Sequence, residues 1–125
     1  MDLRPSAAAL LLAAGLAGCA PAAALRSGRD AERLRDYDRA VVEYSKAVRE
    51  RPADRDARAA LERVKLLAAQ QHFTRGRRLA AAGRLEEALA ELVIAAELNP
   101  TDSEVDRALR DVRTALRAQV TLRRG

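Results

Sequence analysis

GRLEEALAELVIAAELNP, residues 83–100, opens on a glycine and closes on Asn99-Pro100. Gly83 supplies a turn at low steric cost, and the Asn-Pro pair cannot continue a helix. Between them Leu85, Ala88, Leu89, Leu92, Ala95 and Ala96 recur at three- and four-residue spacing. Such spacing draws one apolar stripe along a helix and leaves Glu86, Glu87, Glu91 and Glu97 mostly on other faces. Working outward, RDYDRAVVEYSKAVRERP at residues 35–52 repeats the pattern. Arg35 stands where Gly83 does, Tyr37 matches Leu85, Ala40 matches Ala88, Tyr44 matches Leu92, Ala47 matches Ala95 and Pro52 matches Pro100. Every pair is 48 residues apart, as Pro100 is from Pro52. A fixed internal period of this size is the signature of a repeat architecture.

Each copy is preceded by a second helical stretch. Residues 22–34 and 38–50 read as two helices with a turn at Arg35-Asp36, and residues 70–82 and 85–98 read the same way. This arrangement resembles the tetratricopeptide repeat. The resemblance rests on a glycine in the first helix (Gly28, Gly76), on small residues in the second (Ala40 and Ala47, Ala88 and Ala95), on Tyr44 or Leu92, and on the closing Pro52 or Pro100. A larger side chain at those alanines would push paired helices apart. The family's large aromatic early in the first helix is replaced by Ala24 and His72, and Arg75 sits where a leucine is usual. The resemblance covers roughly residues 21–101 and implies a protein-binding scaffold.

Adjacent repeats of that family lie about 34 residues apart. Here the surplus is close to four turns of helix. No proline or glycine interrupts residues 53–75, and Ala57, Ala60, Leu61, Val64, Leu67, Ala68 and Gln71 keep helical spacing through it. One long helix is expected from about Asp54 to Ala82, capped by Asp54 or Asp56. The alternative is two helices with a break near Gln70-Gln71. A last helix over 102–122, capped by Thr101 or Asp102, puts Val105, Ala108, Leu109, Val112, Ala115, Leu116 and Val120 on one face, with Arg107, Arg110, Arg113 and Arg117 beside it. The expected fold is all-α: two hairpins sharing a long central helix, plus a C-terminal capping helix. Two repeats are fewer than the three usually needed for stability, so a homo-oligomer or a partner is expected to complete the core.

The chain has 125 residues, 49% hydrophobic but much of that alanine, with 2% aromatics, so the helices must pack through small side chains. The net charge is +5, with arginines interleaved among acids. One cysteine and one histidine leave nothing for a disulfide framework, a thiolate metal cluster or histidine-based catalysis. No nucleophile–base pair and no phosphate-cradling glycine loop is present, so neither an enzyme nor a resident cofactor or metal is expected. Glu87 and Glu91 are one turn apart, but no second carboxylate helix converges on them.

At the start, Arg4 precedes an apolar run from Ala7 to Ala17, too short to span a bilayer but of signal-peptide length. It ends Leu16-Ala17-Gly18-Cys19, which resembles a bacterial lipobox. That resemblance implies a signal peptide over 1–18, acylation of Cys19 and a lipid anchor, with 19–22 as a short tether, a helical domain over 23–122 and a tail over 123–125. Ala20 after the cysteine, rather than aspartate, implies the periplasmic face of the outer membrane. The alternative is a secreted chain cut at Ala20 or Ala24. A lipobox followed at once by two such repeats resembles the N-terminal region placed before some secretin channels. An accessory lipoprotein of an envelope assembly or secretion machine is therefore expected.

Stacked hairpins present their first helices to a concave face, which brings Gln70, Phe73, Arg77, Arg29 and Arg33 forward as partner-binding residues. Phe73 either anchors a peptide or helix of a partner protein or packs against the capping helix. His72 reads as a structural histidine. The arginine stripe of the last helix lacks aromatic interleaving, so nucleic acid is not an expected partner. Two other readings stay open: a basic module binding anionic lipid or cell-wall polymer, and a cytoplasmic adaptor whose N-terminus is simply apolar.

Overall fold

The computed structural model describes residues 19–125, and of these the side chains from residue 22 onward. The proposed signal peptide and the side chain of Cys19 lie outside the described residues. The described chain is all-α. Its helices are α1 (Cys19–Arg33), α2 (Tyr37–Glu50), α3 (Arg55–Ala81), α4 (Leu85–Leu98) and α5 (Ser103–Arg124). The central helix runs 27 residues without a break, so Gln70-Gln71 is not a boundary. Two terminal assignments change. α1 begins at Cys19 rather than residue 22, because a proline in the first turn forfeits only an amide that a helix start leaves unpaired anyway. α5 continues to Arg124 instead of fraying at residue 122. Arg123 and Arg124 in its last turn complement the helix dipole.

Contacts divide the chain into two compact units, the first ending at Val64 and the second running from Lys65 to Gly125. The first unit packs α1 and α2 against the N-terminal part of α3. Ala31, Ala40, Tyr44, Ala60, Leu61 and Val64 form its larger cluster, and Ala24, Ala47 and Ala57 a smaller one. The second unit packs the C-terminal part of α3 with α4 and α5 around Phe73, Ala88, Leu92, Ala95, Val105, Leu109 and Val112.

The 48-residue period is reproduced bond by bond in the loops. Arg35 N donates to Glu32 O and Asp36 N to Ala31 O; Gly83 N donates to Ala80 O and Arg84 N to Leu79 O. Both pairs form a Schellman closure, which requires a left-handed residue after the helix. Gly83 takes it at φ 79°, while Arg35 takes it at φ 57° with a Cβ in the way, at a cost of about 1 kcal/mol. The second loops also match. Arg51 (φ −134°, ψ 79°) and Asn99 (φ −137°, ψ 80°) leave the helix with matching dihedrals outside the helical region, which a following proline disfavours.

Capping settles the two open choices at the aspartates. Asp54 Oδ1 accepts from Ala57 N at 3.1 Å, and Asp102 Oδ1 accepts from Glu104 N at 2.9 Å and Val105 N at 3.4 Å. Asp36 caps α2 in the same way through Arg39 N, whereas Arg84, at the start of α4, turns to Glu87 instead.

The glycines mark where helices approach most closely. A Cβ on Gly28 would lie 2.6 Å from Cε1 and 2.7 Å from Cδ1 of Tyr44. A Cβ on Gly76 would lie 2.8 Å from Cγ of Leu92. Ala40, Ala88 and Ala95 are fully buried and Ala47 nearly so, while Pro52 and Pro100 sit exposed in the loops.

Candidate functional site

The first unit holds an open cleft of 620 Å³ between α1 and α3, with Tyr44 of α2 at its floor. Leu25, Arg29, Glu32 and Arg33 come from α1, and Asp56, Ala60 and Arg63 from α3. In the second unit the corresponding space is two smaller hollows of 280 and 180 Å³ that share Arg77, Ala108 and Asp111. Displaced by 48 residues, the linings correspond: Leu25 with Phe73, Arg29 with Arg77, Tyr44 with Leu92, Asp56 with Glu104, Ala60 with Ala108. The second hollow is smaller because Phe73 replaces Leu25 and Arg107 replaces Ala59.

Of the residues expected at a partner groove, Arg29 and Arg33 line the first cleft, and Phe73 and Arg77 line the second. Gln70 is exposed and lines neither. Of the two places expected for Phe73, it takes the one against the capping helix: it is only 6% accessible and belongs to the core with Val105, Leu109 and Val112 of α5, while still lining the second hollow. The Arg77 guanidinium carbon stands 5.6 Å from the Phe73 ring centroid, within cation–π range. Arg33 pairs with Asp30 one turn earlier. Among the described residues neither Arg29 nor Arg77 has a carboxylate partner.

A polar network crosses the first cleft that the spacing of the sequence does not announce. The Tyr44 hydroxyl donates to Glu32 Oε1 at 2.8 Å. Arg63 donates from Nη2 to the same oxygen at 2.8 Å and from Nε to Oε2 at 3.1 Å. One carboxylate thus joins three helices, in the forked geometry that suits a guanidinium. The Arg63 hydrogen bonds hold the Glu32 carboxyl below its usual value of 4.5; burial opposes this and the Tyr44 hydroxyl assists it. Burial, then the bond to Glu32, pushes the Tyr44 hydroxyl above 10.0.

A depressed carboxylate pKa means the unfolded chain binds more protons than the folded one in that range. Glu32 therefore contributes stability in full above about pH 4.5, and that contribution is lost as the pH falls through the lowered folded value. Because Arg63 is half exposed, the contribution is about 1 kcal/mol. Urea unfolding of the parent and of Glu32→Gln should differ by that amount near pH 6, and the difference should shrink as the pH falls below 4.5. A gap independent of pH would contradict the assignment. Tyr44 acts at the other end, its contribution falling as the pH rises above 10.0 through the raised value.

The two departures from the repeat pattern in α3 prove to be coupled. His72, 5% accessible, places Nδ1 at 2.6 Å from Glu91 Oε2, and Arg75 Nε lies 3.5 Å from that oxygen. A histidine at an aromatic position and an arginine at a leucine position are thus joined through α4. Among the described residues no buried side-chain nitrogen or oxygen lacks a partner, and no group of three or more potential metal ligands is found. Among them too, no helix is long and apolar enough to cross a membrane. No protein-family model matches the chain, and no curated protein or solved structure matches it significantly.

Proposed function

We propose that this protein is a protein–protein interaction scaffold, tethered by an acylated Cys19 to the periplasmic face of the outer membrane, as an accessory of an envelope assembly or secretion machine. One observation carries the scaffold reading: hollows at corresponding places in the two units, partly matched in lining at a 48-residue interval, each hold an arginine without a carboxylate partner, Arg29 and Arg77. An unpaired guanidinium above a shallow, partly apolar hollow suits a side-chain or main-chain oxygen of a docked segment, and arginine is enriched among residues that dominate binding. The tether rests on Leu16-Ala17-Gly18-Cys19 and the apolar run before it. A single histidine and a single cysteine leave the chain little means of doing chemistry of its own.

The test replaces Arg29, Arg77 or, as a control on α2, Arg49 with a photo-crosslinking residue in cells that make the protein. A common adduct from Arg29 and Arg77, absent from Arg49, is expected. Identical adducts at all three positions, or none at either cleft, would remove the scaffold reading. Mass spectrometry of the mature N-terminus tests the tether separately. A diacylglyceryl Cys19 is the expected result, and an unprocessed Met1 would favour a cytoplasmic adaptor.

A further inference from the structure

The charge of this protein is concentrated in one place. Residues 107–125 carry six arginines and one aspartate, a net +5 that equals the charge of the whole chain. Elsewhere several cations are tied to acids, Arg33 to Asp30, Lys46 to Glu43, Arg63 to Glu32 and Arg84 to Glu87, and basic and acidic residues balance in number. On α5 no arginine forms an ion pair among the described residues; Arg117 reaches only the neutral Thr114 hydroxyl. Val105, Leu109 and Val112 turn one side of the helix to the core. Arg110, Arg117 and Arg124, two turns apart, run along an exposed strip with Arg113 beside them.

The helix dipole accounts for cations in the last turn, Arg123 and Arg124, but its effect does not extend to Arg110 and Arg113 in mid-helix. An apolar side chain accompanies the strip: Val120, between Arg117 and Arg124, is 48% accessible. A soluble polyanion gains nothing from such a residue, whereas a lipid surface takes up both, with guanidinium groups among phosphates and apolar groups below them. α5 carries no aromatic residue on which bases could stack.

We infer that the exposed arginine strip of α5 is a second binding site, one that docks on the phosphates of an anionic lipid surface. It does not depend on the scaffold reading or on acylation of Cys19. The test uses the full chain in vesicle co-sedimentation, with phosphatidylcholine alone or mixed with about a third phosphatidylglycerol. The ratio of the two isolates the charge-dependent part from any insertion of the apolar N-terminal run. A preference for anionic vesicles of roughly tenfold or more is expected in low salt, lost in high salt. Arg110→Gln/Arg113→Gln/Arg117→Gln should abolish it. Arg39→Gln/Arg49→Gln/Arg51→Gln, which removes the same charge from elsewhere, should retain most of it. Circular dichroism should show both variants folded, since all six side chains are exposed. No preference for anionic vesicles, equal loss in the two variants, or displacement from vesicles by duplex DNA at equal phosphate would overturn the inference.

Discussion

Tyr44→Ala is expected to cost about 3–5 kcal/mol, as truncation of a buried aromatic usually does. That is enough to unfold the first unit at room temperature if its stability is ordinary for its size. The ring is 1% accessible and is among the largest fully buried side chains described. It packs over Gly28, where no Cβ is present to fill the space it would vacate. The hydroxyl adds a second loss, since Glu32 and Arg63 were arranged around it. Tyr44→Phe separates the two contributions: it keeps the ring and should cost only about 1 kcal/mol. Urea unfolding measures both, and amide exchange should place the damage in α1 and α2. A Tyr44→Ala protein within about 1 kcal/mol of the parent would mean that the first unit is not organised around this ring.

Leu92→Ala strikes the equivalent position of the second unit and should cost about 2–5 kcal/mol, Leu92 being fully buried. Its partner tests the close approach directly. Gly76→Ala gains about 1 kcal/mol of helix propensity. It also puts a Cβ 2.8 Å from Leu92 Cγ and 2.9 Å from Cδ2, atoms held in the core, and overpacking of this kind costs about 1–3 kcal/mol. Alone, Gly76→Ala should therefore be neutral to destabilising. In the Leu92→Ala background the obstruction is gone, and the same substitution should stabilise. The sign of the double-mutant cycle is the prediction, with a coupling of at least about 1 kcal/mol. Gly76→Ala with the same effect in both backgrounds would show that the two helices do not meet as described.

Most of the fold could be read from residue spacing. The repeat over 35–52 and 83–100 locates α2 and α4, and Asn99-Pro100 and Arg51-Pro52 end them, because a proline forces its predecessor out of the helical region. The unbroken α3 follows from the absence of glycine and proline over residues 53–75. The candidate site was less legible. Arg29, Arg33 and Arg77 line clefts, but Phe73 is mostly enclosed by α5 and Gln70 stands apart. Periodicity tells which face of a helix is apolar, not how completely a neighbour will cover it. The Glu32–Tyr44–Arg63 network was missed for a related reason: its members lie 12 and 31 residues from Glu32, and no local rule links such positions. The His72–Glu91–Arg75 group left a faint trace, since two departures from the repeat pattern one turn apart invite a shared partner.

By itself the sequence determined the elements of this protein: five described helices to within a few residues, the turns between them, and a 48-residue period. Each of these follows from local sterics, capping and apolar spacing within a few turns of chain. Tertiary structure alone decided which polar residues became partners. It let Glu32 gather a tyrosine and an arginine from two other helices, buried His72 against Glu91, and left Arg29 and Arg77 without carboxylates. Those outcomes depend on ångström-scale distances between segments remote in sequence, which are set by how closely glycine and alanine let the helices approach.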